Sequence, residues 1–379
     1  MELPEPRLLR LIHRQLAVGQ PLPVSVRDAE GTLLLAKGQV LADDAQLAEL
    51  LDRGAYVDAE EAAAALLAAA PAELASRPLT LFEQWEQMVW RLERLQRSVD
   101  GPGLGQRAHA LADALLALQR RDADVGIYVA MRQDTRRLSV YGLTHALYTA
   151  MACGMAAARL GWNEDETQRI VCAALTMNLS ITDLQGHLAT QGKRPTEAQF
   201  ERLRAHPAQA ADTLAAGGVT DADWLAAVRQ HHERRDGSGY PAGLREPCAL
   251  ALALRQADVL LAKVSPRAGR EPLPMQQALR QMFAEEGAGP FASALVKEFG
   301  IYPPGDFVQL KSGELAVVVR RGATANTPDV AAITDRKGTP VTSSLRRDTA
   351  KPEFAIAGPA LDRKRVLRVP PERLFGLVV

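Results

Sequence analysis

The chain is poor in several features that mark common functional classes. It has three cysteines in 379 residues. Cys153, Cys172 and Cys248 stand far apart in apolar surroundings, with no paired-ligand spacing. That excludes a disulfide framework and a cysteine-based metal motif, and leaves buried free thiols of a reducing compartment as the expectation. There is no excess of either charge: 45 basic side chains meet 45 acidic ones, so no global positive field draws nucleic acid. No apolar run is long enough to span a bilayer. The two most apolar stretches, "EEAAAALLAAAPAEL" and "LTHALYTAMACGMAAARL", are broken by polar residues and too short. The first residues, "MELPEPRLLR", carry acids and prolines where a signal peptide needs an apolar core. No internal repeat is visible. The expectation is a cytoplasmic protein without membrane insertion.

What is present is apolar mass, 47% of residues, in a length that argues for two or three domains. Residues 22–58 have their own character: "LPVSVRDAEGTLLLAKGQVL" reads as two strands around an Asp-Ala-Glu-Gly turn, and "ADDAQLAELLDRGAYVD" as a short helix ended by Gly54. The pattern predicts an α+β module and a connecting helix over residues 1–100, closed by a Gly/Pro loop at 101–105. The Leu-rich segment 80–98 suits either a dimer helix or a core-facing one. From 106 to 298 nearly everything reads as helix, with capping boxes at Asn163/Glu166 and Thr196/Gln199. After 298 the pattern turns to strands: "YPPGDFVQLKSGELAVVVRRG" is a hairpin around Lys-Ser-Gly, and "DVAAITDRKGTPV" and "RVLRVPPERLFGLVV" continue it. A β-rich domain is expected over 299–379.

Seven histidines are present. Four lie on the central helical region: His145, His206 and the adjacent pair His231 and His232. Asp258 sits in "LALRQADVLLAKV", another apolar helix. Four imidazoles and a carboxylate gathered in a helical bundle make a site for a divalent transition metal such as Fe, Mn or Zn. Taken singly, each has a plainer explanation: His206 before Pro207 as a turn residue, His145 as a satisfied core histidine. His13, His109 and His187, the last read as lying in a polar loop, carry no ligand pattern.

The stretch "HHERRDGSGYPAGL", residues 231–244, resembles the signature of the HD-GYP family, in which paired histidines precede Asp-Gly and a Gly-Tyr-Pro turn. The resemblance runs from about residue 126 to 283 and into "IYPPGDFVQLKSGELAVVV"; "VRDAEGTLLLAKGQVL" more weakly resembles N-terminal segments of related architectures. It implies a mainly α helical bundle of the HD superfamily type and bacterial cyclic di-GMP signalling. Family members hydrolyse cyclic di-GMP with a binuclear or trinuclear metal centre. By this likeness His145 stands for the first family histidine, His206 for that of the His-Pro pair, His231 and His232 for the pair, and Asp258 for the late aspartate. Arg267 and Arg270 stand for two arginines that would grip phosphates, and Gly239, Tyr240 and Pro241 for the turn implicated in contact with diguanylate cyclase domains.

The chain also departs from the pattern. Where the family reads "AALLHDIGK", residues 173–181 read "AALTMNLSI": Met177 and Asn178 replace the eponymous His-Asp, and Ser180 and Ile181 the Gly-Lys. Tyr141 stands where trinuclear members carry a glutamate, Leu261 replaces a second aspartate, and Gly269 the tyrosine between the arginines. A carboxylate bridges two metals through two anionic oxygens, whereas Asn178 offers one neutral oxygen and Met177 a soft thioether unsuited to hydrolytic ions. One metal would keep only His145 and Asp258, remnants of a site; the other would keep His206, His231 and His232, enough for one divalent ion. A metal pair cradles the attacking hydroxide, so its loss removes the nucleophile. Asp183 is no substitute, since five helical steps turn it about 140° away from Asn178. The resemblance therefore implies a catalytically degenerate member, without catalytic residues, acting as a nucleotide sensor or protein-interaction adaptor. The alternatives are an active phosphodiesterase with non-standard ligands and a structural interaction protein that binds no nucleotide. Tyr240 is expected to point outward on a rigid loop as a binding anchor, with inward packing over the histidine pair as the competing reading.

Overall fold

The computed structural model describes residues 6–8, 16, 18–28, 32–52, 56–58, 61, 78–133, 135–360 and 371–376. The chain divides into two compact units, residues 1–79 and 80–379. In the first, an antiparallel sheet of order β1-β4-β2-β3 is formed by Pro6–Leu8 (β1), Val26–Arg27 (β2), Leu33–Leu35 (β3) and Tyr56–Asp58 (β4). With the helix Asp44–Asp52 (α1) it has a small core of its own around Leu22, Val24, Val26, Leu41 and Val57. The hairpin turn at 29–31, Gly54 and His13 lie outside the described residues.

The boundary expected near residue 100 falls at 79/80 instead. The reason is the helix Leu81–Arg97 (α2). Its Phe82, Trp85, Met88, Val89, Leu92 and Leu95 repeat at helical spacing and are buried in the main core of the second unit. Between the two readings of the Leu-rich segment, the core-facing one holds. Thr80 and Glu83 cap this helix with a reciprocal box.

The bundle is built around Tyr141–Leu160 (α5), a helix apolar on every side and buried along almost its whole length. Around it pack Leu104–Arg121 (α3), Ala123–Met131 (α4), Glu164–Thr176 (α6), Thr182–Gln191 (α7), Glu197–Ala216 (α8), Ala222–Gln230 (α9), Ala249–Val264 (α10), Met275–Glu286 (α11) and Pro290–Phe299 (α12). Both expected capping boxes are present, at Asn163/Glu166 and Thr196/Gln199. His187 lies exposed on α7 rather than in a loop. All three cysteines are free. Among the described residues no helix is long and apolar enough to cross a membrane.

After α12 comes an antiparallel sheet of order β8-β7-β6-β5-β9, made of Phe307–Leu310 (β5), Leu315–Arg320 (β6), Asp329–Thr334 (β7), Pro340–Asp348 (β8) and Ile356–Pro359 (β9). The small antiparallel sheet after the bundle is as expected, and Phe307, Val317, Val319 and Ala331 on it also join the bundle's own core. The strand expected in "RVLRVPPERLFGLVV" is a short helix, Pro371–Phe375 (α13), where described. Proline suits the first helical turn because its missing N–H has no intrahelical partner there. Phe375 meets Phe82 and Tyr128 edge to face, with centroids 5.3 and 5.2 Å apart.

An ion network joins sheet to helices. Arg321 donates to Asp124 at 2.5 Å and to Glu298, Glu298 also accepts from Arg159, and Arg320 reaches Asp122 at 2.7 Å. Asp124 and Glu298 are buried, so removing a partner strands part of a buried charge. Arg321→Ala is expected to lower the urea midpoint by the equivalent of about 2–3 kcal/mol. Arg336→Ala, which breaks an exposed pair with Glu353, should leave it unchanged. Equal behaviour of the two variants would contradict a structural role for the network.

Candidate functional site

Three histidines converge where α8 meets the end of α9. Pro207 lies inside α8. It has no N–H to give to the carbonyl four residues back, so the Leu203 carbonyl is released from the helical ladder. The Nδ1 of His206 takes that carbonyl at 2.6 Å. His231 caps the C-terminus of α9, where carbonyls lack intrahelical partners. Its Nδ1 donates to the Val228 carbonyl at 2.7 Å. A carbonyl only accepts, so both Nδ1 atoms carry the proton and both neutral rings present a bare Nε2 lone pair. Those two Nε2 atoms face each other at 3.2 Å.

Two lone pairs at that distance repel unless something positive lies against both. Nitrogens about 2.1 Å from a shared divalent ion, at tetrahedral to octahedral angles, stand about 3.0–3.4 Å apart. His232 completes the group: one ligand atom from each of His206, His231 and His232 lies within 4.8 Å of the others. The backbone carbonyls that orient two of the rings are the outer-shell partners such ligands use. The residues present therefore fit one divalent transition metal. Burial pushes all three imidazoles down, His206 to about 3 with its neighbour His231 adding to the shift, which keeps them in the ligating, neutral form.

The other two candidate residues, His145 and Asp258, are also brought together, against each other. His145 Nε2 and Asp258 Oδ1 are 2.7 Å apart and buried. Burial pushes the Asp258 carboxyl up, but the His145 hydrogen bond together with the charge interactions of His145, His232 and His231 outweighs it and holds the group well below the usual carboxylate range. His145 Nδ1 has no hydrogen-bond partner. The Tyr141 ring stacks on His145 at 5.3 Å, with 9° between planes. Arg267 in turn lies over the Tyr141 ring at 4.6 Å and donates to its hydroxyl. Met177 is fully buried among apolar neighbours, and the Asn178 side-chain oxygen is buried without a partner. Asp183 is exposed on the first turn of α7.

Arg267 and Arg270 line a cavity of about 380 Å³ together with His232, Asp258, Arg255 and Lys263. Gly269, with φ 74°, turns the chain between the two arginines. Arg270 also donates to the Ala262 carbonyl. Arg255 is held by a bidentate pair to Glu286 at 2.6 and 2.8 Å. Sequence reading passed over Arg255 and Lys263: they lie on α10 at spacings of three and five from Asp258, and nothing local marks them.

The Gly-Tyr-Pro turn corrects the expectation for Tyr240. Its ring points inward and stacks on His232 at 4.7 Å, half-buried, because the turn is pulled down by a carboxylate beneath it. That carboxylate is Glu233, buried, which accepts from the Ala242 and Leu244 amides at 2.7 and 2.9 Å. It was missed, although its place directly after the histidine pair was a signal. Gly239 matters for close approach: a Cβ there would meet Glu233 Cα and the Arg234 amide nitrogen at 2.5 Å. Pro241 is exposed at the tip.

Residues 111–291 match the family profile described as an HD domain. Over 142 residues the chain is 37% identical to the cyclic di-GMP phosphodiesterase PA4108 of Pseudomonas aeruginosa, covering 36% of this chain and 34% of that one. It is 30% identical over 203 residues to the cyclic di-GMP phosphodiesterase response regulator RpfG of Xanthomonas campestris pv. campestris, covering 51% and 52%. The chain thus spans about a third to a half of the length of these curated relatives. Among solved structures, Bd1817, a HDG"Y"P protein from Bdellovibrio bacteriovorus, aligns with a TM-score of 0.51 at 16% identity over 77% of this chain and 97% of that one. At that identity the likeness concerns the fold.

Two outcomes are expected. Protein purified without chelator should hold about one divalent metal per chain by plasma mass spectrometry, and His231→Ala should hold none; two tightly held ions per chain are incompatible with the donor set. In metal-free protein the histidines' folded pKa values lie below the unfolded value of about 6.5, so the unfolded state binds more protons once the pH drops below it. Their stabilising contribution is complete above that value and is lost as the pH falls through their depressed folded values, about 3 for His206. The urea midpoint should therefore fall from about pH 7.5 to about 5, a window above carboxylate titration, by up to about 1.4 kcal/mol per pH unit per histidine. A flat profile there would show that the rings are not held neutral.

Proposed function

Because the chain belongs to the HD-GYP family, we propose that it is a cyclic di-GMP-binding signalling protein that holds one metal and hydrolyses its ligand poorly or not at all. The observation that carries this reading is that Met177, buried in the apolar core, and the neutral Asn178 stand where a carboxylate would be needed to bridge a metal pair. His145 and Asp258, which lie against each other, would by themselves give a second ion only two ligands. His206, His231 and His232 would hold a single ion, which would supply positive charge to a phosphate oxygen. Arg267 and Arg270 add guanidinium donors in the same cavity, suited to bidentate phosphate contacts. Asp258, kept anionic, balances the charge of the site.

An active phosphodiesterase is the second reading. It is favoured by the activity named for the relatives in Pseudomonas and Xanthomonas, and by an anionic carboxylate lining the same cavity as His232. A diguanylate cyclase domain, the partner class that the family resemblance implies, would meet exposed Pro241 and Leu244 rather than the half-buried Tyr240.

Calorimetric titration with cyclic di-GMP is expected to show binding that weakens by about tenfold or more in Arg267→Ala, as for loss of a charge-assisted contact. The nucleotide should remain intact on long incubation with Mn or Fe(II) under reducing conditions. Steady release of pGpG or GMP that disappears in His232→Ala would move the assignment to the phosphodiesterase.

A further inference from the structure

One stripe of α10 forms a wall of the cavity that holds Arg267 and Arg270. Arg255, Asp258, Val259, Ala262 and Lys263 line it, the last four at three, four, seven and eight residues from the first. That spacing puts them on a single helix face. Three of them carry charge, and two of the three are fully engaged. Asp258 is taken by His145, and Arg255 by a bidentate pair to Glu286. Lys263 is not. Its Nζ donates to Glu285 Oε1 at 2.8 Å and to Gln281 Oε1 at 3.1 Å. An ammonium has three N–H groups, so one remains for the cavity.

The partner acid does not serve its own helix. Glu285 and Glu286 end α11, whose last turn holds no basic residue. Carboxylates there meet the negative end of the helix dipole, which disfavours them. The facing cations of α10 offset this: Arg255 takes Glu286, and Lys263 takes Glu285. The two pairs are unequal. The Arg255 and Glu286 side chains are both nearly excluded from water, and breaking a buried pair is costly. The Glu285 side chain is 40% exposed, and an ion pair open to water is weak. Lys263 is therefore the cation that an entering anion can draw away from its partner. Glu285 lines the cavity as well, so its charge opposes the same anion directly.

We propose that Lys263 is a phosphate-binding residue of this cavity, beside Arg267 and Arg270, and that Glu285 sets its strength by neutralising it. The proposal rests on the cyclic di-GMP reading above. It gives the α10–α11 contact a role that neither the histidines nor the two arginines fill: affinity for an anionic ligand is tuned from the end of α11, with the ligand cluster left unchanged.

The test is a double-mutant cycle, read by isothermal titration of the full chain, metal-loaded as purified, with cyclic di-GMP at fixed ionic strength. Lys263→Gln should weaken binding by about tenfold, as for loss of a charge-assisted contact. Glu285→Gln keeps an acceptor oxygen and removes the charge, and should strengthen binding by about threefold. In the Lys263→Gln background the gain from Glu285→Gln should largely disappear, because the two residues act as a pair. Metal content should stay at the wild-type level throughout. Glu285 is exposed, so its single variant carries the test if Lys263→Gln does not fold. Wild-type affinity in Lys263→Gln, no gain in Glu285→Gln, or an equal gain in both backgrounds overturns the role of the pair and leaves the cyclic di-GMP reading standing. Failure of wild type to bind cyclic di-GMP removes both.

Discussion

Two imidazole nitrogens, each with its lone pair forward, are fixed 3.2 Å apart by backbone carbonyls behind them. The rest of the site depends on that constraint. Neither ring can rotate without abandoning its carbonyl, and neither protonates readily because both are buried. The carbonyls are available for local reasons: a proline within α8 frees one, and the end of α9 frees the other. His-Pro and the helix end thus aim nitrogen lone pairs, and a bundle that brings α8 against α9 gathers them into a group that could hold a metal ion. The repulsion between the lone pairs is a local instability that a bound cation would relieve.

On the other side of the cluster the same fold has been filled differently. Asp258, His145, Tyr141 and Arg267 form a continuous column: a carboxylate hydrogen-bonded to an imidazole, a phenol stacked on that imidazole, and a guanidinium over the phenol. Tyr141 is decisive within the column. A glutamate at that position would add a ligand, whereas the phenol adds a ring face and a hydroxyl that draws Arg267 in. The column therefore fixes a permanent cation, Arg267, in the wall of the cavity that His232 and Asp258 also line.

How much of this was legible follows from the range of the interactions. Helices with their own caps, such as those opened by Asn163 and Thr196, are local events and read directly from the chain. So do the four histidines and Asp258, because they are rare residues in apolar helices. The partition of α2 was not legible, since a helix with one apolar face does not say which core it faces; Trp85 and Leu92 belong to the bundle only because α5 is there to receive them. Nor was the strand reading of "PERLF" reliable, as alternating apolar residues over so short a span suit a single helical turn equally. The orientation of Tyr240 was undecidable for a different reason. Its direction is set by Glu233 pulling the turn down through two amides; the place of Glu233 directly after the histidine pair hints at a role, but which backbone amides it would take is set only by the folded turn.

That same glutamate ties the histidine pair to the turn, in a chain where residues 177 and 178 read Met-Asn. Glu233 is a buried carboxylate whose oxygens are satisfied by backbone amides of the turn. Removing either element would leave the other with unpaired buried groups. The turn in turn presses Tyr240 onto His232, which closes one side of the ligand cluster. Gly239 is needed because the turn crosses the backbone of Glu233 and Arg234 too closely for any side chain. The His-His-Glu segment and the Gly-Tyr-Pro turn are therefore one interlocked unit that positions a single set of three histidines. Met177 belongs to no such unit and simply joins the apolar core, so a change there leaves the interlocked segment and its three histidines in place.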